Sequence, residues 1–170
     1  GHYKTYYDSI QDSKSGNLKD SLKKLNQLIS LFPENIYLIE TKADILISYG
    51  YRNQAIEFYQ KVLNHLPNNK YAELRIFNNL DLEKLNHTKK NELFNNSINL
   101  LFDFPNNIQA KNKFFKLSLF LQKKDWINYF TIIENRINLN KQQYNIELNN
   151  LINNTNDFYL IKLINKSKAI

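Results

Sequence analysis

Leu31-Phe32-Pro33-Glu34-Asn35, His65-Leu66-Pro67-Asn68-Asn69 and Asp103-Phe104-Pro105-Asn106-Asn107 decide how this chain is read. Each run brings an apolar stretch to a proline and follows it with asparagine. Proline cannot continue a helix, because it lacks the amide donor and its ring clashes with the preceding turn. Asparagine suits the next helix start, where its side-chain oxygen can accept an orphan backbone N–H. The first two prolines are 34 residues apart and the second and third 38, and the chain has only 3 prolines. Every proline therefore marks the end of one module and the start of another.

Between these marks the apolar residues recur at helical spacing. Ala55, Ile56, Tyr59, Val62, Leu63 and Leu66 share one face before Pro67, and Ile39, Ala43, Leu46 and Ile47 form the stripe of a partner helix. Gly50 stands at the turn between them, where a positive φ is expected, and Gly16 lies 34 residues earlier in the same role. Two antiparallel helices with small residues at their crossing make one hairpin.

A repeat of about 34 residues with small, aromatic and Pro positions is the pattern of a tetratricopeptide (TPR) unit. Ala43, Leu46, Gly50, Ala55, Tyr59 and Pro67 follow it most fully. Gly16, Ser21, Leu25, Leu28 and Pro33 keep the frame, with Ser21 in place of the usual Ala, and a third unit keeps Leu100 and Pro105. A fourth helix pair is expected at about 108–122 and 125–138, with Asp125 as N-cap, and two further helices at about 141–153 and 156–168. The expected fold is all-α, a right-handed superhelix (α-solenoid) of antiparallel TPR-like hairpins with about ten helices. The repeats would span 3–33, 34–67, 68–105 and 106–138, and 139–170 would form capping helices, since a stacked array must cover its last apolar face.

Composition agrees with helices and narrows the chemistry. At 42% hydrophobic and 23% charged, the chain has ordinary globular composition, and 3 Gly with 3 Pro are too few for the turns of a many-stranded barrel. Cysteine is absent, which excludes disulfides, thiolate catalysis and Cys-ligated zinc. Methionine is absent even at position 1, so the chain reads as an excised fragment with Gly1-His2 a cloning scar. No apolar run approaches the roughly 20 residues that span a bilayer, so no membrane insertion is expected. The formal charge of +7 invites a nucleic-acid reading. However, Asn makes up about one residue in six, and the cations come as scattered pairs such as Lys23-Lys24, Lys89-Lys90 and Lys123-Lys124 among acids. A solvated helical surface is expected, and no nucleic-acid partner.

The run from Asn35 through Ile36, Tyr37, Leu38, Ile39, Glu40, Thr41, Lys42, Ala43, Asp44 and Ile45 to Leu46 resembles a segment of bacterial M48-family zinc metallopeptidases. That segment reads Asn-Pro-Tyr-Phe-x-Glu-Leu-x-Gly-x-x-Leu, so Ile36 stands where Pro is usual and Ala43 where Gly is. Tyr6-Tyr7 with Gly16-Asn17, Leu74-Arg75-Ile76 and Asn156-Asp157-Phe158-Tyr159-Leu160 are similar to other parts of the same domain. In those proteins a TPR domain follows the peptidase domain, and the proteins act in outer-membrane protein assembly and quality control. The resemblance implies a non-catalytic domain that recruits substrates or partners and packs on an upstream peptidase domain. It also implies a periplasmic or envelope-associated setting; a free-standing, cytoplasmic TPR adaptor is the alternative. The zinc motif His-Glu-x-x-His lies upstream in the family and is absent here, so no catalytic residue carries over.

No catalytic, cofactor or metal site is expected from the residues themselves. His2, His65 and His87 are the only histidines. His65 falls in the last turn of a helix, His87 reads as a loop residue, and none has a second ligand at metal spacing. Glu40 and Asp44, four apart, project from one helical face, yet acid–base work would need a facing partner and a dry pocket. In TPR units the first helix of each hairpin lines the concave surface. On that frame Tyr37, Glu40, Asp44 and Ile47, with Ser48, line a groove, continued by Tyr71, Leu74 and Asn78 and then by Asn112 and Lys116. Such a groove suits an extended peptide or a partner helix. Tyr59, Phe77, Phe114, Phe115, Phe130 and Trp126 are expected in the core.

Overall fold

A computed structural model describes residues 1–168. Among the described residues it holds eleven α-helices, two 3-10 turns and no strand, so the fold is all-α. The chain divides into two compact units, residues 1–80 and 81–170. The first carries α1 (His2–Lys14), α2 (Leu18–Leu31), α3 (Ile36–Ser48), α4 (Arg52–His65) and α5 (Lys70–Asn79). The second carries α6 (His87–Ser97), α7 (Leu100–Asp103), α8 (Ile108–Phe120), α9 (Lys124–Glu134), α10 (Lys141–Asn153) and α11 (Phe158–Ser167). The 3-10 turns are Leu82–Lys84 and Arg136–Asn138.

The proline runs build the same turn three times. Phe32, Leu66 and Phe104 precede proline and leave the helical region with φ near −130° (−131, −129 and −129), as the proline ring requires of its predecessor. The amides of Asn35, Asn69 and Asn107 then bond back to the carbonyls of Phe32, Leu66 and Phe104 at 3.0, 3.0 and 3.1 Å. Each asparagine goes on to cap the next helix, its side-chain oxygen accepting from Leu38, Ala72 or Ala110. The shorter turns also repeat: Gly16 and Gly50 take φ of 84° and 85°, and Gln122 takes 53° at the turn between α8 and α9.

Packing in the first unit follows the apolar stripes. Ile39, Ala43, Leu46, Ala55, Tyr59, Val62 and Ala72 form one cluster, and Leu25, Leu28, Leu38 and Ile45 a second. Ala43 and Ala55 are fully buried, so the two helices approach with no bulky side chain between them. Ser21 is equally buried, and its hydroxyl has no hydrogen-bond partner. In the second unit Phe94 meets Phe114 and Trp126 edge-on, with ring centroids 5.6 and 5.1 Å apart. Trp126 is buried at 2% exposure and donates its indole N–H to Asp157 at 2.9 Å, while Asp157 also caps α11 through the Leu160 amide.

One local expectation is refined and two are corrected. The helix count is eleven because the expected second helix of the third repeat divides into α6 and α7. Ile98 and Asn99 stay helical in φ and ψ but the bonds tighten to three-residue spacing, from Leu101 to Ile98 and from Phe102 to Asn99. Asp125 is not the N-cap of α9. Lys123 holds that place because the Gln122 turn starts the helix earlier, and the Asp125 carboxylate instead accepts the Thr155 hydroxyl at 2.7 Å. His87 is the first residue of α6 rather than part of a loop, since Asn86 caps the helix through the Lys89 amide.

Candidate functional site

The first helices of the first unit meet through polar side chains. Tyr6 on α1 shares a hydrogen bond of 3.0 Å with Thr41 on α3. Farther along α3, the Asp44 carboxylate accepts the Tyr71 hydroxyl from α5 at 3.1 Å and the Tyr59 hydroxyl from α4. Arg75, one turn beyond Tyr71, lays its guanidinium over the Tyr71 ring at 4.7 Å. Its Nε is buried and has no hydrogen-bond partner.

Electrostatics at this cluster are finely balanced. Burial pushes the Glu40 carboxyl above its ordinary range, the neighbouring Asp44 charge adds to the push, and Arg75 opposes both. Burial also raises the Tyr59 and Tyr71 phenols, so both stay neutral hydrogen-bond donors. Asp44 is thereby held as a fixed acceptor between two phenols. The arrangement anchors the first-helix face through Asp44 Oδ1, which takes both phenols.

At the other end of α3 the face opens into a cavity of about 390 Å³ lined by Tyr3, Tyr6, Phe32 and Tyr37 above Leu28 and Leu38. Tyr3 is 92% exposed and Tyr37 79%. Tyr3, Tyr37 and Tyr71 stand 34 residues apart on α1, α3 and α5, so one tyrosine occupies the same place in each successive module.

The residues singled out by sequence fall in several environments. Tyr37 is solvent-facing, Glu40, Asp44, Tyr71 and Asn78 are partly buried, and Ile47 is packed against the core. Leu74 corrects the expectation that it lines the groove: at 5% exposure it belongs to the core beneath the face. Its helix turns that position inward toward Ala72 and Phe77, which are also buried. Asn112 and Lys116 are exposed on α8 in the second unit. Tyr3, Tyr6, Phe32, Thr41 and Arg75 join the face in addition to the residues that the repeat frame assigns to it. The signal was available, because Tyr3 sits one repeat before Tyr37, and Arg75 follows Tyr71 by four residues on the same helical face.

Tyr59, Phe77, Phe114, Phe130 and Trp126 are core residues. Among the described residues no three His, Asp or Glu side chains gather as a metal site, and no helix is long and apolar enough to cross a membrane. Compared with known proteins, the chain matches no family model, and no curated protein matches it significantly.

Proposed function

We propose that this chain is a non-catalytic protein-interaction domain of TPR-like hairpins that binds an extended peptide segment along the α1–α3–α5 face of its first unit. The observation that carries the reading is the tyrosine row Tyr3, Tyr37 and Tyr71. Tyr3 and Tyr37 stand in solvent, where they add nothing to the core, and the half-buried Tyr71 ties the row to Asp44; tyrosine is favoured at binding surfaces because it offers much contact area with few rotatable bonds. Around Tyr37 the row borders a cavity able to take one apolar side chain. Around Tyr71 it borders the Glu40–Asp44–Arg75 group, which offers charges of both signs to a peptide backbone or side chain.

Selection of short peptides against the purified domain tests this. Binding peptides are expected to share an aromatic or aliphatic anchor. Their binding should perturb backbone amide resonances on α1, α3 and α5, and Tyr37→Ala should weaken it about tenfold, the scale of one interface anchor. Perturbations confined to other helices, or affinity unchanged in Tyr37→Ala, would remove the reading.

The sequence resemblance to the metallopeptidases supports a narrower form: a C-terminal recruiting arm of an envelope zinc protease, in the periplasm, packed against its own peptidase domain. Sequencing the source gene upstream of residue 3 decides it. A signal peptide followed by His-Glu-x-x-His is expected. A start codon beside Tyr3 would leave a free-standing adaptor.

A further inference from the structure

The second unit holds a cavity of about 480 Å³ that the peptide-binding reading does not use. Its depth is apolar: Leu101, Tyr129, Phe130, Tyr144 and Leu163 line it and are all buried. The two phenols are already committed. Ser167 donates its hydroxyl proton to the Leu163 carbonyl at 2.8 Å, so the 2.7 Å contact between Tyr129 and Ser167 must carry the Tyr129 proton. Tyr144 donates to the Ser167 carbonyl at 2.8 Å. Burial pushes the Tyr129 phenol up to about 12, which keeps it a neutral donor to Ser167. The interior therefore presents ring faces and aliphatic carbons, with no free hydroxyl proton from these groups.

The rim is the opposite. Lys111, Arg136, Lys166 and Lys168 line it, and no aspartate or glutamate does. Among the described residues, none of the four forms an ion pair with a carboxylate, whereas Lys4 and Lys24 pair with Asp8 and Asp12. Two rim cations lie over aromatic rings, Arg136 over Tyr144 at 5.0 Å and Lys166 over Phe102 at 5.1 Å. Those contacts hold the charges beside rings of the cavity and leave N–H groups of both available to an acceptor. Converging like charges around a low-dielectric hollow repel one another, and an anion entering the hollow would relieve that repulsion.

We propose that this cavity binds a small amphipathic anion, an aromatic ring bearing a phosphate or carboxylate group, with the ring against Phe130 and Leu163 and the anionic group held by Arg136 and Lys166. The volume lies within the usual range for small-molecule pockets. Ring faces and aliphatic carbons match a flat apolar body, and guanidinium and ammonium groups match either anion. This site is independent of the α1–α3–α5 face and stands or falls apart from it.

Calorimetric or ligand-observed NMR titration in a non-phosphate buffer tests it with four probes: phenyl phosphate, phenylacetate, inorganic phosphate and benzyl alcohol. The two aryl anions should bind with Kd on the order of 1 mM or tighter. Inorganic phosphate and benzyl alcohol, each offering one half of the ligand, should bind at least about tenfold more weakly. Whichever aryl anion binds more tightly assigns the group as phosphate or carboxylate. The double variant Arg136→Gln/Lys166→Gln changes two exposed residues and should fold normally, yet lose about tenfold or more in aryl-anion affinity. Lys89→Gln, also at an exposed lysine but outside the cavity lining, should bind as the parent does. The proposal is overturned if neither aryl anion binds, if inorganic phosphate or benzyl alcohol binds as tightly as they do, or if the double variant keeps its affinity.

Discussion

At the scale of single residues, the clearest departure from the repeat pattern is also the clearest cost. Ser21 occupies a position that asks for Ala, is fully buried, and has a hydroxyl with no partner. Burying an unsatisfied hydroxyl costs about 1–3 kcal/mol, and Ala fills nearly the same volume without it. Ser21→Ala should therefore raise stability by about 1–2 kcal/mol, measured as a shift of the urea midpoint at unchanged slope; a lower midpoint would contradict the packing described. Glu40 makes the matching electrostatic case. Its carboxyl is raised by burial and by Asp44, so the folded protein holds that proton more tightly than the unfolded chain. Its contribution is then fully favourable below the unfolded value of about 4.3 and is lost as pH rises through the raised folded value. Glu40→Gln mimics the protonated form. Its thermal midpoint should exceed the parent's at pH 7, and the difference should shrink toward zero by about pH 4. A variant less stable at pH 7 would show that the Arg75 attraction outweighs burial and Asp44.

At the scale of elements, the sequence was most legible where backbone chemistry is forced. Proline cannot be helical in mid-helix, Asn is a strong N-cap, and a turn with φ near 85° selects Gly. Thus the ends of α2, α3 and α4 could be placed from Pro33, Asn35, Gly50 and Pro67. Legibility failed where a less demanding residue does the same job. Gln122 adopts a left-handed φ of 53° at the place where Gly16 and Gly50 stand in the earlier hairpins. With no glycine to mark the turn, the sequence points to Asp125 as the start of α9, one to two residues later than the observed start. Non-glycine residues strain in this region by about 1–2 kcal/mol, partly offset in glycine by its greater unfolded-state freedom. Gln122→Gly should consequently stabilise the protein by about 0.5–1 kcal/mol, read as a rise in thermal midpoint. No rise, or a fall, would mean that the Gln122 side chain contributes more than its backbone strain removes. The third repeat was illegible for a different reason: tight three-residue bonding at Ile98 and Asn99 needs no special residue type, so nothing in the sequence announces the division of α6 from α7. The candidate face was half legible. Tyr37, Glu40 and Asp44 follow from helical spacing alone, but the Asp44–Tyr59 contact joins a face residue to a core residue, which spacing on one helix cannot reveal.

At the scale of the whole molecule, the charge of +7 is unevenly divided. Residues 1–80 carry ten Lys and Arg against eight Asp and Glu, and residues 81–170 carry thirteen against eight. The excess therefore lies chiefly in the second unit, the one with the cation-rimmed cavity. A stripe of cations along a surface would bind a nucleic-acid backbone, because each phosphate neutralised releases a counterion. A ring of four cations around a hollow can engage one compact anion but few successive phosphates. The two arrangements give different salt dependence. If a short DNA duplex binds at low salt, its log–log slope should be no steeper than about −4, the limit for four cations at roughly −0.9 each. Binding should also be negligible at about 0.15 M salt, where exposed charges are largely screened beyond roughly 8 Å. Fluorescence anisotropy of a labelled duplex across a salt series measures both. A slope of about −6 or steeper, with affinity surviving at physiological salt, would require six or more phosphate contacts. That result would replace the small-anion reading of the second unit with a nucleic-acid surface, because the cavity rim alone cannot supply so many cations.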